Sequence, residues 1–176
     1  ELGVHSYDKR ILTLASQYSG YPEHFFREAD ETLNGSLITK QLQALPKHHA
    51  PTGELSKFTS DDRLFDYQKI IIEKLAASES CVIVGKCADY ILKDFDNVVS
   101  IYVEAPRSYT LRRVMERMDD ITVEEAHHLI TKTDKYRADY YKYYTGGNYW
   151  TNPVNYDLTF NNARLGDERC VKLTLD

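Results

Sequence analysis

Apolar positions follow two different spacings along the chain. Short apolar or alternating runs predict β-strands at residues 4–7, 81–84, 98–103 and 156–160. Apolar residues three or four positions apart predict helices at residues 9–18, 64–77 and 107–118 and a longer helix or helix pair at 123–144. One or two helical turns are predicted at 88–92, and an amphipathic segment at 167–173. The two continuous runs, 81–84 and 98–103, are typical of strands buried in a parallel sheet. Strands alternating with helices predict an α/β fold with a mainly parallel sheet.

Several residues mark where these elements begin and end. Pro22 stands where a second helix can start. Thr122 is followed three residues later by Glu125, which predicts a capping box at the start of the longest helix. The pair Gly146-Gly147 predicts the end of that helix.

The segment from residue 34 to residue 60 is the least regular part of the chain. Its prolines and glycines predict a long loop, which is typical of a mobile functional segment or of disorder. His48 and His49 lie within it, but no third ligand is spaced to join them, so no metal site is predicted.

Composition narrows the class of protein. A chain of 176 residues is long enough for one domain with a substantial core. Its net charge of −5 argues against general nucleic-acid binding, although a small anionic ligand needs only a few local cations. The sequence contains neither a stretch that resembles a signal peptide nor an apolar run of about 18 residues, so a cytoplasmic protein without a membrane partner is expected.

Cysteine and tyrosine add little chemistry by themselves. The three cysteines have no paired CxxC spacing, which favours plain core thiols over a metal site or a disulfide framework. Several of the 14 tyrosines fall between Tyr136 and Tyr156, where they predict an aromatic packing surface, with stacking on a base left open.

The turn after the run 81–84 is the first candidate site. Gly85 allows the backbone to approach a ligand, Lys86 offers a charge to a phosphate, and Asp89 can accept from an amine or hydroxyl group. An equally good interpretation is a plain strand-to-helix turn in which Asp89 supplies a charge at the helix start.

The second candidate site is a pair of basic clusters on the helices between Arg107 and Arg137. Such clusters can fold over a polyphosphate as a lid, and the three-residue spacing of Asp134 and Arg137 allows those two side chains to pair without a ligand. A solvated helix face is the alternative, and the pattern alone favours it. The clusters contain Arg112, Arg113, Arg117, Lys132, Asp134, Lys135 and Arg137.

Segments spread over nearly the whole chain resemble the cytidylate kinase-like family of P-loop nucleoside monophosphate kinases. The resemblance lies in residues 4–9, 26–31, 81–92, 131–141, 156–158 and 161–166. It implies one three-layer α/β kinase-like domain over 1–176, in which 20–62 forms the monophosphate-binding, mobile segment and 107–147 carries the lid. It also implies ATP and Mg²⁺ as cofactors and small-molecule nucleotides as partners.

The resemblance assigns a role to each candidate residue. Residues implied to face the acceptor nucleotide are Asp8, Lys86 and Asp89. Residues implied to clamp the phosphates catalytically are Arg112, Arg113, Lys132, Asp134 and Arg137. Residues implied to lie beside the donor base are Ala163, Arg164, Leu165 and Gly166.

The sequence departs from the family pattern in two ways. Lys86 stands where the family usually has arginine, which removes the planar fork that grips a phosphate. The glycine-rich phosphate loop of the family is not found in the sequence, and we expect it upstream of Glu1. The expected function is ATP-dependent phosphoryl transfer to a nucleoside monophosphate, with cytidine monophosphate suggested by the family name. A non-catalytic nucleotide-binding or regulatory module is the alternative, and a structural interaction domain is a third interpretation.

Overall fold

The computed structural model describes residues 3–24, 26–27 and 60–175. The chain divides into two compact units, Glu1–Val98 and Val99–Asp176. The predicted loop 34–60, its histidine pair and most of the segment 20–62 lie outside the described residues. Residues 23–24 and 26–27 are helical, in agreement with a helix that starts after Pro22.

The first unit places two parallel strands beside a pair of packed helices. Its elements are β1 (His5–Tyr7), α1 (Arg10–Ser19), α2 (Ser60–Ser78), β2 (Cys81–Ile83) and α3 (Ala88–Ile91). Tyr7 lies opposite Ile83, and the amide of Val84 donates to the carbonyl oxygen of Tyr7 at 2.8 Å. The apolar stripe of α1, including Ile11 and Leu12, packs with that of α2 to form the core.

The second unit also contains a pair of parallel strands. Its elements are β3 (Ile101–Glu104), α4 (Arg107–Arg117), α5 (Val123–Tyr144), a 3₁₀ turn (Pro153–Asn155), β4 (Leu158–Asn161), α6 (Asn162–Leu165) and α7 (Asp167–Leu175). The register runs from Ile101 opposite Leu158 to Glu104 opposite Asn161. Strands of this length joined through helices are what the α/β prediction requires.

Local hydrogen bonds fix the ends of these elements. The capping box is confirmed: the Glu125 amide donates to the Thr122 hydroxyl at 3.2 Å, and the Thr122 amide donates to the Glu125 carboxylate at 2.9 Å. After α5, the amide of Gly147 donates to the carbonyl oxygen of Lys142 at 2.8 Å, which closes the helix as predicted. The Asp157 carboxylate accepts from the amide and the hydroxyl of Ser100, both at 2.7 Å, and joins the starts of β3 and β4.

The prediction that the strands at 81–84 and 98–103 are buried is wrong for several side chains. Val82 is 45% exposed and Val103 is 54% exposed. In the described part of each unit the sheet has two strands, so these side chains have neighbours on one side only. The α/β class is retained with two small parallel sheets, while the three-layer arrangement stays a prediction.

Candidate functional site

In the first unit, the candidate residues follow the carboxyl ends of the strands. Asp8 comes directly after β1, and Gly85 and Lys86 follow β2. Because the two strands are parallel, these residues share one edge of the sheet, which is where ligands bind in open α/β sheets. Asp89 lies in the first turn of α3, as the plain strand-to-helix interpretation also allows.

The backbone after β2 adopts a left-handed turn. Gly85, Lys86 and Cys87 have φ angles of 71°, 59° and 54°. Glycine adopts this region freely, whereas a left-handed non-glycine residue costs about 1–3 kcal/mol. The Cys87 side chain is buried and the Ala88 amide donates to the Gly85 carbonyl oxygen at 3.1 Å, so packing and hydrogen bonding hold the turn. Backbone strain of this kind concentrates at functional sites.

In the second unit, an open cleft of about 260 Å³ lies at the carboxyl ends of β3 and β4. Helix α4 forms one wall, and the junction of α6 with α7 contributes to the other. The lining residues are Val103, Glu104, Ala105, Tyr109, Thr110, Arg113, Arg117, Asn162 and Asp167. The cleft therefore combines two cations with two carboxylates and an amide.

Arg113 joins the predicted clamp to the predicted donor-base region. Its guanidinium lies 3.6 Å from the Asp167 carboxylate and 3.9 Å from that of Glu116. The other oxygen of Asp167 accepts a hydrogen bond from the Asn162 side-chain amide at 2.8 Å. Of the five residues predicted to clamp phosphate, Arg113 is the one that lines this cleft.

The predicted donor-base residues lie in the chain between two residues that line the cleft, but they do not line it themselves. Ala163, Arg164 and Leu165 lie in α6, and Gly166 separates α6 from α7 with a φ of 77° that suits glycine. The flanking residues Asn162 and Asp167 line the cleft instead. Sequence reasoning missed them as site residues, although they border the predicted segment on both sides.

Arg107 connects α4 to α5. Its guanidinium donates to the carbonyl oxygen of His127 at 2.6 Å and to the hydroxyl of Thr131 at 2.7 Å. It also lies 3.6 Å from the Asp134 carboxylate. Asp134 and Arg137, which the spacing allows to pair, form no ion pair among the described residues, and the Asp134 carboxylate lies beside Arg107.

The remaining clamp residues are spread along the two helices. Arg137 is exposed, and its guanidinium carbon lies 5.8 Å from the centre of the Trp150 ring. Lys132 is exposed as well, and within residues 60–175 it forms no ion pair. Arg112 faces Glu116 at 3.8 Å and the Tyr109 ring at 5.3 Å. The described contacts thus separate Arg113 in the cleft from the residues of α5.

The aromatic residues of the second unit pack against each other, as the tyrosine pattern predicts. Tyr102 on β3 stacks on Tyr156 at 5.0 Å and meets Trp150 edge-on at 5.7 Å. Burial, followed by the carboxylates of Glu104 and Asp134, raises the pKa of the Tyr102 hydroxyl, and Arg137 opposes this rise. The cluster therefore lies within the electrostatic range of the predicted clamp.

Neither a metal centre nor a membrane span is found where the structure can be described. The described ranges contain no group of three or more histidine, cysteine, aspartate or glutamate side chains suited to a metal ion. Within the same ranges, no helix is both long enough and apolar enough to cross a bilayer. None of the three thiols, all within the described residues, forms a disulfide: Cys87 and Cys170 are buried and Cys81 is half-buried.

Comparison with known proteins identifies the family. A sequence model described as the cytidylate kinase-like family matches residues 1–164. A crystal structure of an uncharacterized protein from Eubacterium ventriosum is 30% identical, with a TM-score of 0.52 over 58% of this chain and 63% of that one. The chain thus covers less than two thirds of that protein's length. A search of curated proteins found no match to this chain. The family match over residues 1–164 confirms the resemblance seen in the sequence, and the chain belongs to the cytidylate kinase-like family.

Proposed function

We propose that the protein is a nucleotide kinase that transfers the γ-phosphoryl group of ATP, in the presence of Mg²⁺, to a nucleoside monophosphate. Membership of the cytidylate kinase-like family points to nucleotide kinases in general and makes cytidine monophosphate the first acceptor to test. The observation that carries the proposal is the cleft at the carboxyl ends of β3 and β4, which Arg113 and Arg117 line together with the polar side chains of Asn162, Glu104 and Asp167.

The cleft suits the donor nucleotide because Arg113 can exchange its present carboxylate partners for phosphate oxygens. Arginine binds phosphate oxygens through a planar fork of N–H groups, and charge-assisted hydrogen bonds of this kind are strong. The present partners of Arg113 are Asp167 and Glu116, and the side chains of Arg113, Asp167 and Glu116 are 37%, 66% and 53% exposed. An exposed ion pair contributes only about 0–1 kcal/mol, so an incoming phosphate can replace the carboxylate at little cost.

The same cleft can distinguish one base from another. Asn162 provides both a donor and an acceptor, and Asp167 provides acceptors. In this proposal the two side chains read the polar edge of the donor base after Asp167 leaves Arg113. Ala163–Gly166, which the resemblance places beside the donor base, lie between these two residues in the chain.

We assign the acceptor to the edge of the first unit that carries Asp8, Lys86 and Asp89. Lys86 supplies a charge to the acceptor phosphate, but it lacks the two-pronged geometry of the arginine usual in the family. The two carboxylates can accept from the sugar hydroxyls or from the amine of a cytosine base.

Phosphoryl transfer requires little covalent help from the protein. It depends on aligning the two nucleotides and on surrounding the moving group with cations, and bound ATP brings Mg²⁺ that neutralises charge on its phosphates. Residues of this chain would supply further charge from Arg113 in the cleft and from Lys132 and Arg137 on α5. If α4 and α5 close over the nucleotides, they exclude water that would otherwise take the phosphoryl group.

The test is an ATP-dependent transfer assay across nucleoside monophosphates with the variant Arg113→Gln. We expect kcat/KM to fall by about 10- to 100-fold, because the lost charge-assisted bonds are worth about 1.5–3 kcal/mol. Arg169→Gln is the matched control, because Arg169 is an exposed arginine on α7 outside the cleft lining, and its activity should stay within about twofold.

The outcomes separate the proposed function from its alternative. Equal activity in Arg113→Gln and Arg169→Gln would remove Arg113 from the site. Calorimetric binding of ATP without product from any monophosphate would favour the non-catalytic nucleotide-binding module, to which the lysine at position 86 is suited. Absence of nucleotide binding would reject both.

A further inference from the structure

Arg137 and Trp150 form a contact that the sequence pattern did not suggest. The guanidinium carbon lies 5.8 Å from the centre of the indole ring, within the distance of a cation–π interaction. Arg137 is on α5, whereas Trp150 lies in the connection between α5 and the 3₁₀ turn. The contact therefore brings an exposed side chain of the helix next to the segment that follows it.

The geometry of this contact determines what Arg137 can still do. The guanidinium carries five N–H donors, and an aromatic ring whose centre lies 5.8 Å from the guanidinium carbon can occupy only part of them. Within the described residues, Arg137 makes no ion pair and no hydrogen bond through its side chain. Its conformational freedom is reduced while its capacity to bind an anion is retained.

The nearest carboxylate on the same helix face does not compete for Arg137. Asp134 lies three residues earlier on α5, but its carboxylate is 3.6 Å from the guanidinium of Arg107. Arg107 is held in turn by the His127 carbonyl oxygen and the Thr131 hydroxyl. Asp134 therefore pairs with Arg107, and Arg137 has no ion-pair partner among the described residues.

Trp150 is itself held in place by contacts on several sides. Its ring meets Tyr102 edge-on at 5.7 Å, and Tyr102 stacks on Tyr156 at 5.0 Å. The Tyr156 hydroxyl donates to the carbonyl oxygen of Trp150 at 2.7 Å. The side-chain amide of Asn155 donates to the neighbouring Tyr149 carbonyl oxygen at 2.9 Å. A ring anchored to strand β3 in this way can define the position of a side chain laid across it.

We infer that Trp150 is a positioning residue that presents the N–H edge of Arg137 to phosphate oxygens of a bound nucleotide. This inference rests on the proposed function, because it deepens the role of α5 in phosphate binding. A guanidinium already held in place loses less conformational entropy on binding than one that is free to rotate.

The experiment is a double-mutant cycle between positions 150 and 137 in the purified protein. Trp150→Leu removes the aromatic face, Trp150→Phe retains it, and Arg137→Gln removes the cation. Inorganic tripolyphosphate, titrated by calorimetry, is the probe for the phosphate subsite, and the transfer assay with ATP is run in parallel. Thermal unfolding of every variant identifies any that fails to fold.

The cycle has a defined expectation. Trp150→Leu should weaken tripolyphosphate binding by about two- to fivefold, which corresponds to an exposed cation–π contact, and Trp150→Phe should change it by less than about twofold. In the Arg137→Gln background, Trp150→Leu should have no further effect, because Trp150 acts through Arg137. A purely structural role for Trp150 would instead give the same loss in both backgrounds, and that result would overturn the inference.

The single tryptophan provides an independent optical test. Tripolyphosphate should change the fluorescence emission of Trp150 in the wild-type protein and leave it unchanged in Arg137→Gln. The same change in both proteins would overturn the inference.

The two proposals can fail separately. Transfer activity together with additive effects of the two substitutions would reject the role of Trp150 and retain the kinase. Coupled tripolyphosphate binding without transfer to any monophosphate would retain the role of Trp150 in anion binding and reject the kinase.

Discussion

Replacing Arg107 by alanine tests the connection between α4 and α5. The side chain is 38% exposed, and its guanidinium makes two short hydrogen bonds, to His127 at 2.6 Å and to Thr131 at 2.7 Å. It also lies 3.6 Å from the Asp134 carboxylate. A fourth, longer contact joins the Arg107 Nε to the His127 ring nitrogen Nδ1 at 3.4 Å, and removing the side chain breaks all four at once and leaves acceptors that water can reach.

The size of the effect follows from these contacts. A hydrogen bond to a charged group contributes about 1.5–3 kcal/mol, but solvent access reduces the net value at a partly exposed site. We therefore expect Arg107→Ala to lower the free energy of unfolding by about 2 kcal/mol in total, with the exposed ion pair adding less than about 1 kcal/mol. For a chain of this length, that corresponds to a fall in Tm of about 4–8 °C.

Thermal and urea unfolding measure this change. Arg112→Ala is the matched control on the same helix, since Arg112 is 65% exposed and reaches Glu116 only at 3.8 Å. Its free energy of unfolding should change by about 0.5 kcal/mol or less. Arg107→Lys should fall between wild type and Arg107→Ala, because lysine retains the charge and loses the fork.

Equal unfolding free energies for Arg107→Ala and Arg112→Ala would refute this reasoning. That result would mean that the Arg107 contacts with α5 contribute nothing beyond those of a solvated surface arginine. The assignment of Asp134 to Arg107 would then fail as well, and the predicted pairing of Asp134 with Arg137 would return as the better description.

Two further predictions concern the turn at Lys86 and the start of the second sheet. Lys86 has a φ of 59°, so Lys86→Gly should have a free energy of unfolding in urea about 1 kcal/mol higher than that of Lys86→Ala. At a position with negative φ, alanine is the more stable of the two. If alanine were also the more stable residue at position 86, the turn would not be left-handed in solution. Hydrogen bonds from the Ser100 amide, followed by those from its hydroxyl, lower the pKa of the Asp157 carboxyl group. The carboxylate therefore stabilises the fold fully above the ordinary carboxyl pKa of about 3.9, and this stabilisation is lost as the pH falls through the lower pKa of the folded protein. Relative to wild type, Asp157→Asn should therefore be less stable at pH 7 and should show a smaller loss of Tm on acidification, whereas parallel pH profiles would contradict the assignment.

The parts of the fold that depend on neighbouring residues were predictable from the sequence. The capping box of Thr122 and Glu125 and the predicted span of α5, residues 123–144, agree with the structure because both are set within a few residues of the chain. The strands were located correctly to within three residues at each end. Their burial was not, because the exposure of Val82 and Val103 depends on how many strands lie beside them.

The sequence predicted the kinds of chemical group in the candidate site better than it predicted which residues form the site. The sequence indicated a basic surface on α4 and α5 and a polar segment after β4, and Arg113 does meet Asp167 between them. The roles of Asn162 and Asp167 had no signal of their own, because neither residue belongs to a motif and the cleft forms only when α4 lies beside β4 and α6. The left-handed Lys86 was also hidden, since lysine is not a residue that favours positive φ.

Arg107 and Arg137 are both possible partners of Asp134, and sequence spacing alone could not show which of them pairs with it. A pair of opposite charges three residues apart on an exposed helix contributes about 0.2–0.5 kcal/mol, so Arg137 is a weak competitor for this carboxylate. Arg107 offers more, because the bonds that it makes to His127 and Thr131 already fix its guanidinium next to Asp134. Little further conformational entropy is lost when the ion pair forms.

The basic residues of the second unit consequently fall into two classes that the sequence does not distinguish. Arg107 donates its hydrogen bonds to acceptors within the protein and thereby joins α4 to α5. Arg117, Lys132 and Arg137 make no ion pair among the described residues, and the last of these is oriented by an aromatic ring rather than by a carboxylate. Cationic side chains without an internal partner repel each other, which destabilises the protein. A bound polyphosphate would offset this repulsion by accepting charge-assisted hydrogen bonds from their unused donors.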